Sequence, residues 1–122
     1  MSVFVYDYDY NAPTVEHYNR THERFFKKIR EAHPDLPIVI MTRPRHEKFL
    51  QPTEYERLAI AKRTYDNAIA AGDKNVYFIP GYELMTLAGD EGAVDTCHPT
   101  DLGFFSMAQR LSVELRKIFD KE

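Results

Sequence analysis

Three short apolar runs, Val3-Phe4-Val5-Tyr6, Ile38-Val39-Ile40-Met41 and Val76-Tyr77-Phe78-Ile79, do most to limit what this chain can become. Each is continuous rather than alternating and rich in β-branched or aromatic side chains, the pattern of a strand buried on both faces of a parallel sheet. Helical patterns lie between and after them. The first carries Val15, Tyr18, His22, Phe25, Ile29 and Ala32 at steps of three or four and is ended by Pro34. The second opens on Thr53-Glu54-Tyr55-Glu56, which has the spacing of a capping box. It runs through Leu58, Ala59, Tyr65, Ala68 and Ile69 to Gly72, a residue suited to a left-handed position just past a helix. The third follows Thr100-Asp101 as caps, with Phe104, Phe105, Ala108, Leu111, Leu115 and Ile118 on one stripe.

The order βαβαβα predicts a parallel α/β sheet with right-handed crossovers. Helix-to-strand connections are short (Pro34 to Leu36, Gly72 to Asn75), whereas strand-to-helix connections are long (Asp7 to Pro13, Arg43 to Pro52, Pro80 to about Thr100). Only the rim at the carboxyl ends of the strands is elaborated, and in open α/β sheets that rim binds ligands. The polar residues it gathers are Asp7, Asp9, Asn11, Arg43, Arg45, His46, Glu83, Asp90, Asp95, His98 and Asp101.

Composition narrows the class. The chain has 122 residues, 43% hydrophobic and 29% charged, which suits one globular domain over 1–122. Sixteen Lys and Arg against nineteen Asp and Glu give a net charge of −3, with the charges scattered, so nucleic acid is not an expected partner. The single cysteine, Cys97, excludes an internal disulfide. No apolar stretch is long enough for a membrane span or signal peptide, so a cytoplasmic protein is the expectation.

The loop after the third strand holds the sharpest chemistry. Asp95 stands three residues before His98, where a carboxylate can bond one imidazole nitrogen and leave the other free to take a proton from a nucleophile. Pro99 restricts the backbone of His98. The same spacing also suits surface ions or caps. Cys97 reads as a packed thiol rather than a nucleophile, and a metal on His98, Asp95 and Asp101 is not expected, since an acid at a helix entry usually caps it. Asn11 before Ala12-Pro13 suits a turn that starts a helix. Tyr6, Tyr8 and Tyr10 read as core and rim packing, with Asp7 or Asp9 at the pocket mouth. Arg43, Arg45 and His46 are either substrate contacts or a solvated loop. His17, His22 and His33 are expected at the surface or its boundary.

The run Asp95-Thr96-Cys97-His98-Pro99-Thr100-Asp101-Leu102-Gly103, with Met107-Ala108 and Leu111, resembles the last block of the SGNH (GDSL-type) esterase superfamily. Val3 to Tyr6 followed by Asp7-Tyr8-Asp9-Tyr10-Asn11-Ala12-Pro13 is similar to that family's third block, and Arg30-Glu31 through Pro44 to its next helix and strand. The resemblance implies a three-layer αβα, flavodoxin-like fold and hydrolysis of a small-molecule acyl or carbohydrate ester without a cofactor. It implies His98 as general base, Asp95 as its orienting partner and Asn11 as an oxyanion donor. The family's Gly-Asp-Ser-like nucleophile block is not matched: the only serines are Ser2, Ser106 and Ser112, one ahead of a strand and two in the last helix. The chain therefore reads as the C-terminal portion of such a hydrolase, with the nucleophile unassigned. In the family's strand order the first run becomes a sheet edge, so pairing of Val3–Tyr6 with a second copy is expected. The alternative is an inactive α/β module that assembles through that edge.

Overall fold

The computed structural model describes residues 2–86 and 99–121. Two compact units make up the chain: Met1–Thr42 with Pro52–Phe78, and Arg43–Gln51 with Ile79–Glu122.

The first unit is built on a three-stranded sheet in the order β1 (Phe4–Asp7), β2 (Ile38–Met41), β3 (Val76–Ile79). β1 and β2 pair in parallel, Phe4 opposite Ile38 and Asp7 opposite Met41. The Phe4 N–H donates to Pro37 O at 2.9 Å and the Ile38 N–H to Asn75 O at 2.9 Å. Only β2 is buried along its whole length, because only it has a strand on either side. Its fully buried Ile38, Val39 and Ile40 each contribute about 1.5–3 kcal/mol by leaving water.

Two long helices belong to this unit, α1 (Val15–Ala32) and α2 (Pro52–Ala70). Thr14 caps α1, its side chain accepting from the His17 N–H at 3.0 Å. On α1, Tyr18, His22 and Phe26 turn inward, while Phe25 remains 43% exposed. The expected placing of His22 at the boundary is corrected: it is fully buried, because its Nδ1 has Thr64 Oγ1 of α2 at 2.7 Å and Tyr6 stacks on its ring at 4.6 Å. The start of α2 is corrected: Pro52 takes the first helical position, where its fixed φ is already suitable, so Thr53 lies inside the first turn rather than capping it. α2 ends as expected at Gly72, with φ +93°. The Gly72 N–H donates to Ile69 O and the Asp73 N–H to Ala68 O, both at 3.0 Å, the paired bonds of a Schellman end.

At the amino end of the sheet, Arg30 ties the connections together. Its guanidinium donates to both carboxylate oxygens of Asp73 (2.9 and 3.3 Å) and to the carbonyls of His33, Leu36 and Asn75. A cleft of about 570 Å³ lies there between α1 and α2, and its polar groups bond one another, Asn67 Nδ2 donating to Glu23 Oε1 at 2.9 Å.

In the second unit, α3 (Asp101–Asp120) begins at Thr100, whose side chain accepts from the Gly103 N–H at 3.2 Å, as the capping pattern predicts. Its buried stripe is corrected. Phe104 and Phe105 are 57% and 53% exposed, whereas Ile118 is buried as expected and is joined by Gly103, Ser106 and Glu114. The small Gly103 and Ser106 form the buried side of the first turns, and Glu114 is tolerated because Arg110 and Lys117 donate to its Oε1.

Candidate active site

Among the described residues a 3₁₀ turn follows each strand in the chain: Asp9–Asn11 after β1, Glu47–Phe49 between β2 and α2, and Gly81–Met85 after β3. The first carries Asn11. Its turn closes through the Asn11 N–H on Tyr8 O at 2.9 Å and the Ala12 N–H on Asp9 O at 3.4 Å. Ala12 then adopts an extended backbone, as a residue before proline should.

Asp9 turns inward. It is 1% exposed, and its carboxylate lies 3.1 Å from Nη1 of Arg57, itself 7% exposed. The same Nη1 donates to the carbonyl of Asp9 at 2.8 Å, and Nη2 donates to the carbonyl of Ala12 at 3.0 Å. The guanidinium also lies over the ring of Tyr18, 5.5 Å from its centre. One side chain on α2 therefore holds both ends of the turn bearing Asn11. This places Asp9 as part of the turn's anchorage rather than as a group open to solvent.

Asn11 is exposed, and its side-chain amide makes no hydrogen bond to another described residue. Asp7 closes β1 two residues before Asp9. Its surface remains exposed, yet protein atoms crowd its carboxyl, so desolvation first and the charge of Asp9 second raise its pKa above the usual carboxylate range. Beneath these residues Tyr6, Tyr8, Tyr18 and His22 pack ring against ring, and burial raises the phenol pKa of both Tyr6 and Tyr18. The Tyr6 hydroxyl donates to His22 O at 2.8 Å, and Tyr8 and Thr21 share a hydroxyl bond at 3.0 Å.

The remaining rim candidates fall in the second unit. Arg43 and Arg45 are half-buried. His46 accepts from the Lys48 N–H at 3.2 Å and so caps its own 3₁₀ turn. Glu83 accepts from Arg110 Nε at 3.1 Å, and Asp101 opens α3 at the surface. Asp90, Asp95, Cys97 and His98 lie outside the described residues. Among the described residues, no three His, Cys, Asp or Glu side chains are grouped so as to hold a metal ion. No described helix is long and apolar enough to cross a membrane.

The serines give no rim nucleophile. Ser106 is 2% exposed inside α3, Ser112 donates to Gln109 O at 2.8 Å in the same helix, and Ser2 precedes β1.

A residue that sequence reasoning missed is Arg57. The sequence pattern ran α2 through Leu58, Ala59, Tyr65, Ala68 and Ile69, whereas the structure buries Arg57, Ile60, Ala61 and Thr64 with Ala68 and leaves Ala59 and Ile69 exposed. An arginine on such a stripe requires a buried acceptor.

Residues 1–116 match the model of the GDSL-like lipase/acylhydrolase family. The chain belongs to that family. Among solved structures it is similar to a protein assigned as a GDSL-like lipase from Bacteroides ovatus ATCC 8483, with 27% identity and a TM-score of 0.78 over 98% of this chain and 36% of that one. It also has the fold of the salicylyl-acyltransferase SsfX3 from a tetracycline biosynthetic pathway, with 19% identity and a TM-score of 0.72 over 96% of this chain and 38% of that one. A comparison with curated proteins gives no match. The chain thus spans a little over a third of the length of these solved relatives. The α/β fold expected from the βαβαβα order is the fold these GDSL-like structures share, and ester-acting chemistry is the family's general province.

Proposed function

We propose that this chain supplies the oxyanion donor, the base and the base-orienting acid of an ester hydrolase working by acyl transfer to serine. Asn11 would direct its amide at the oxygen that becomes negative as the tetrahedral intermediate forms. A fixed donor there is worth about 2.7–4 kcal/mol of barrier. His98 would take the serine proton and return it to the leaving alcohol, and Asp95 would hold the imidazole tautomer. Asp7 and Arg43 are proposed substrate contacts at the mouth, and the substrate is a small acyl or carbohydrate ester. The serine itself would come from outside these residues, since Ser2, Ser106 and Ser112 have no place at the rim. One observation carries this reading. An exposed amide, free of hydrogen bonds to described residues, stands on an anchored turn at the carboxyl end of β1 in a chain of the GDSL-like family.

The test is hydrolysis of 4-nitrophenyl acetate by this chain, by a form extended upstream of Met1, and by Asn11→Ala and His98→Ala in each. Near-background turnover is expected from the chain alone. The extended form should turn over, and each substitution should reduce its kcat at least a hundredfold. Full activity of the extended form without His98 would remove the proposed base.

A second reading is favoured by the place of β1, which pairs only with β2 among the described residues: an α/β module without catalysis that assembles with a second copy through this strand. A groove lined by Phe4, Ile29, Ala32 and Leu36 together with Lys28 and His33 reaches β1 at Phe4. Turnover by the extended form would exclude the inactive module, whereas self-association is an independent measurement.

A further inference from the structure

The turn that carries Asn11 is three residues long and closes on backbone bonds of 2.9 and 3.4 Å, the second of them stretched. Such a turn does not by itself fix a side chain to the fraction of an ångström that an oxyanion donor needs. Further rigidity must come from outside the turn, and in this molecule one guanidinium reaches both of its ends. Arg57 bonds the carbonyl of Asp9 where the turn begins and the carbonyl of Ala12 where it ends, and it balances its charge on the Asp9 carboxylate. We infer that Arg57 is the positioning residue for Asn11, fixing the oxyanion-donor turn from α2 without itself touching the substrate.

Three features separate this role from ordinary core packing. The two carbonyls to which Arg57 donates flank Asn11 on either side, at Asp9 and Ala12, so displacement of the Asn11 turn strains both bonds. Arg57 is 7% exposed and Asp9 1% exposed, so water does not readily replace either bond. A planar fork can satisfy two divergent carbonyls and a carboxylate at once, which an ammonium on a flexible stem does far less well. Tyr18, under the guanidinium at 5.5 Å, limits the fork to this plane.

The inference rests on the reading of Asn11 as the oxyanion donor, and the experiment separates the two. Amide hydrogen exchange is measured on this chain, as wild type, Arg57→Lys and Arg57→Met. The Asn11 and Ala12 amides should exchange at least tenfold faster in Arg57→Met, and by an intermediate factor in Arg57→Lys. The amides of Val39 and Ile40 in β2 should keep their protection. If Arg57→Met does not fold, the lysine variant decides. Unchanged exchange at Asn11 and Ala12 overturns the proposal, as does equal loss of protection throughout β2.

In the ester-hydrolysing form, Arg57→Met should lower kcat ten- to a hundredfold with KM within about twofold, and the lysine should restore part of it. Combined with Asn11→Ala, Arg57→Met should add almost nothing, because the donor it positions is already gone. Additive losses would show that Arg57 acts by another route and overturn the proposal. If Asn11→Ala leaves kcat intact while Arg57→Met still loosens the turn, the functional reading of Asn11 fails and the clamp stands.

Discussion

Nδ1 of His22 lies 2.7 Å from the hydroxyl of Thr64, joining α1 to α2 inside a core from which both side chains exclude water. The ring is further enclosed by Tyr6 and Tyr18. Desolvation, the largest influence, lowers the imidazole pKa from 6.5 to about 4, with Arg63 adding to the fall and Asp9 and Glu23 opposing it.

Stability should therefore depend on pH through His22. The folded pKa is below the unfolded one, so between the two the unfolded chain binds more protons. The contribution is fully present above about pH 6.5 and is lost progressively as pH falls to about 4. Its size is on the order of 3 kcal/mol. Urea midpoints measured between pH 7.5 and 4.5 should fall, and His22→Gln should flatten that fall while lowering stability at pH 7.5. An unchanged slope in the variant would place the pH dependence elsewhere.

Arg30 should be a major stabilising residue of the first unit. It is largely buried with Asp73 and serves carbonyls from two connections, so Arg30→Met removes the cation beside a largely buried carboxylate and the side-chain donor to the Leu36 and Asn75 carbonyls. A loss of about 3 kcal/mol is expected, on the order of 10 °C in Tm. Arg30→Lys should recover less than half, because the fork geometry is lost. A thermal scan with less than about 1 kcal/mol of change would show the clasp to be incidental.

The reach of sequence reasoning follows the range of the forces involved. β2, β3 and α1 lie where their apolar runs and spacing placed them, and β1 is displaced by one residue. These elements are set by local pattern, and Thr14 and Thr100 by local capping bonds. The buried stripe of α3 was misread because its aromatics dominate a count of apolar residues, whereas Gly103 and Ser106 occupy the buried side by being small. His22 was misread because its partner Thr64 lies 42 residues away. For the same reason nothing near Asn11 announced Arg57, which is 45 residues beyond Ala12. Of the candidate site, the turn before α1 was legible from the Asn-Ala-Pro sequence, the role proposed for Asn11 came from the family resemblance, and the anchorage of the turn was not legible.

Gly72 isolates a purely conformational contribution. Its φ of +93° disfavours any residue with a β-carbon, yet a β-carbon built there would meet nothing within 4 Å. Gly72→Ala should therefore destabilise by about 1 kcal/mol without a steric penalty, and Gly72→Asn by less. Equal denaturation midpoints for wild type and the alanine variant would contradict the left-handed end of α2.

The free side of β1 leads to a prediction about assembly. Phe4 spends its N–H on β2, and in a parallel ladder the alternate residues Val3, Val5 and Asp7 then direct their backbone groups away from it. Two such edges can pair antiparallel about Val5, which sets Asp7 opposite Val3 of the second copy and so avoids two carboxylates face to face. Sedimentation should show this chain shifting from monomer to dimer with rising concentration. Val5→Pro removes an N–H that β2 does not use, so it should abolish the shift while the circular dichroism spectrum stays native. A chain that remains monomeric at every concentration, or a proline variant that associates as strongly as wild type, would show that β1 is not the interface.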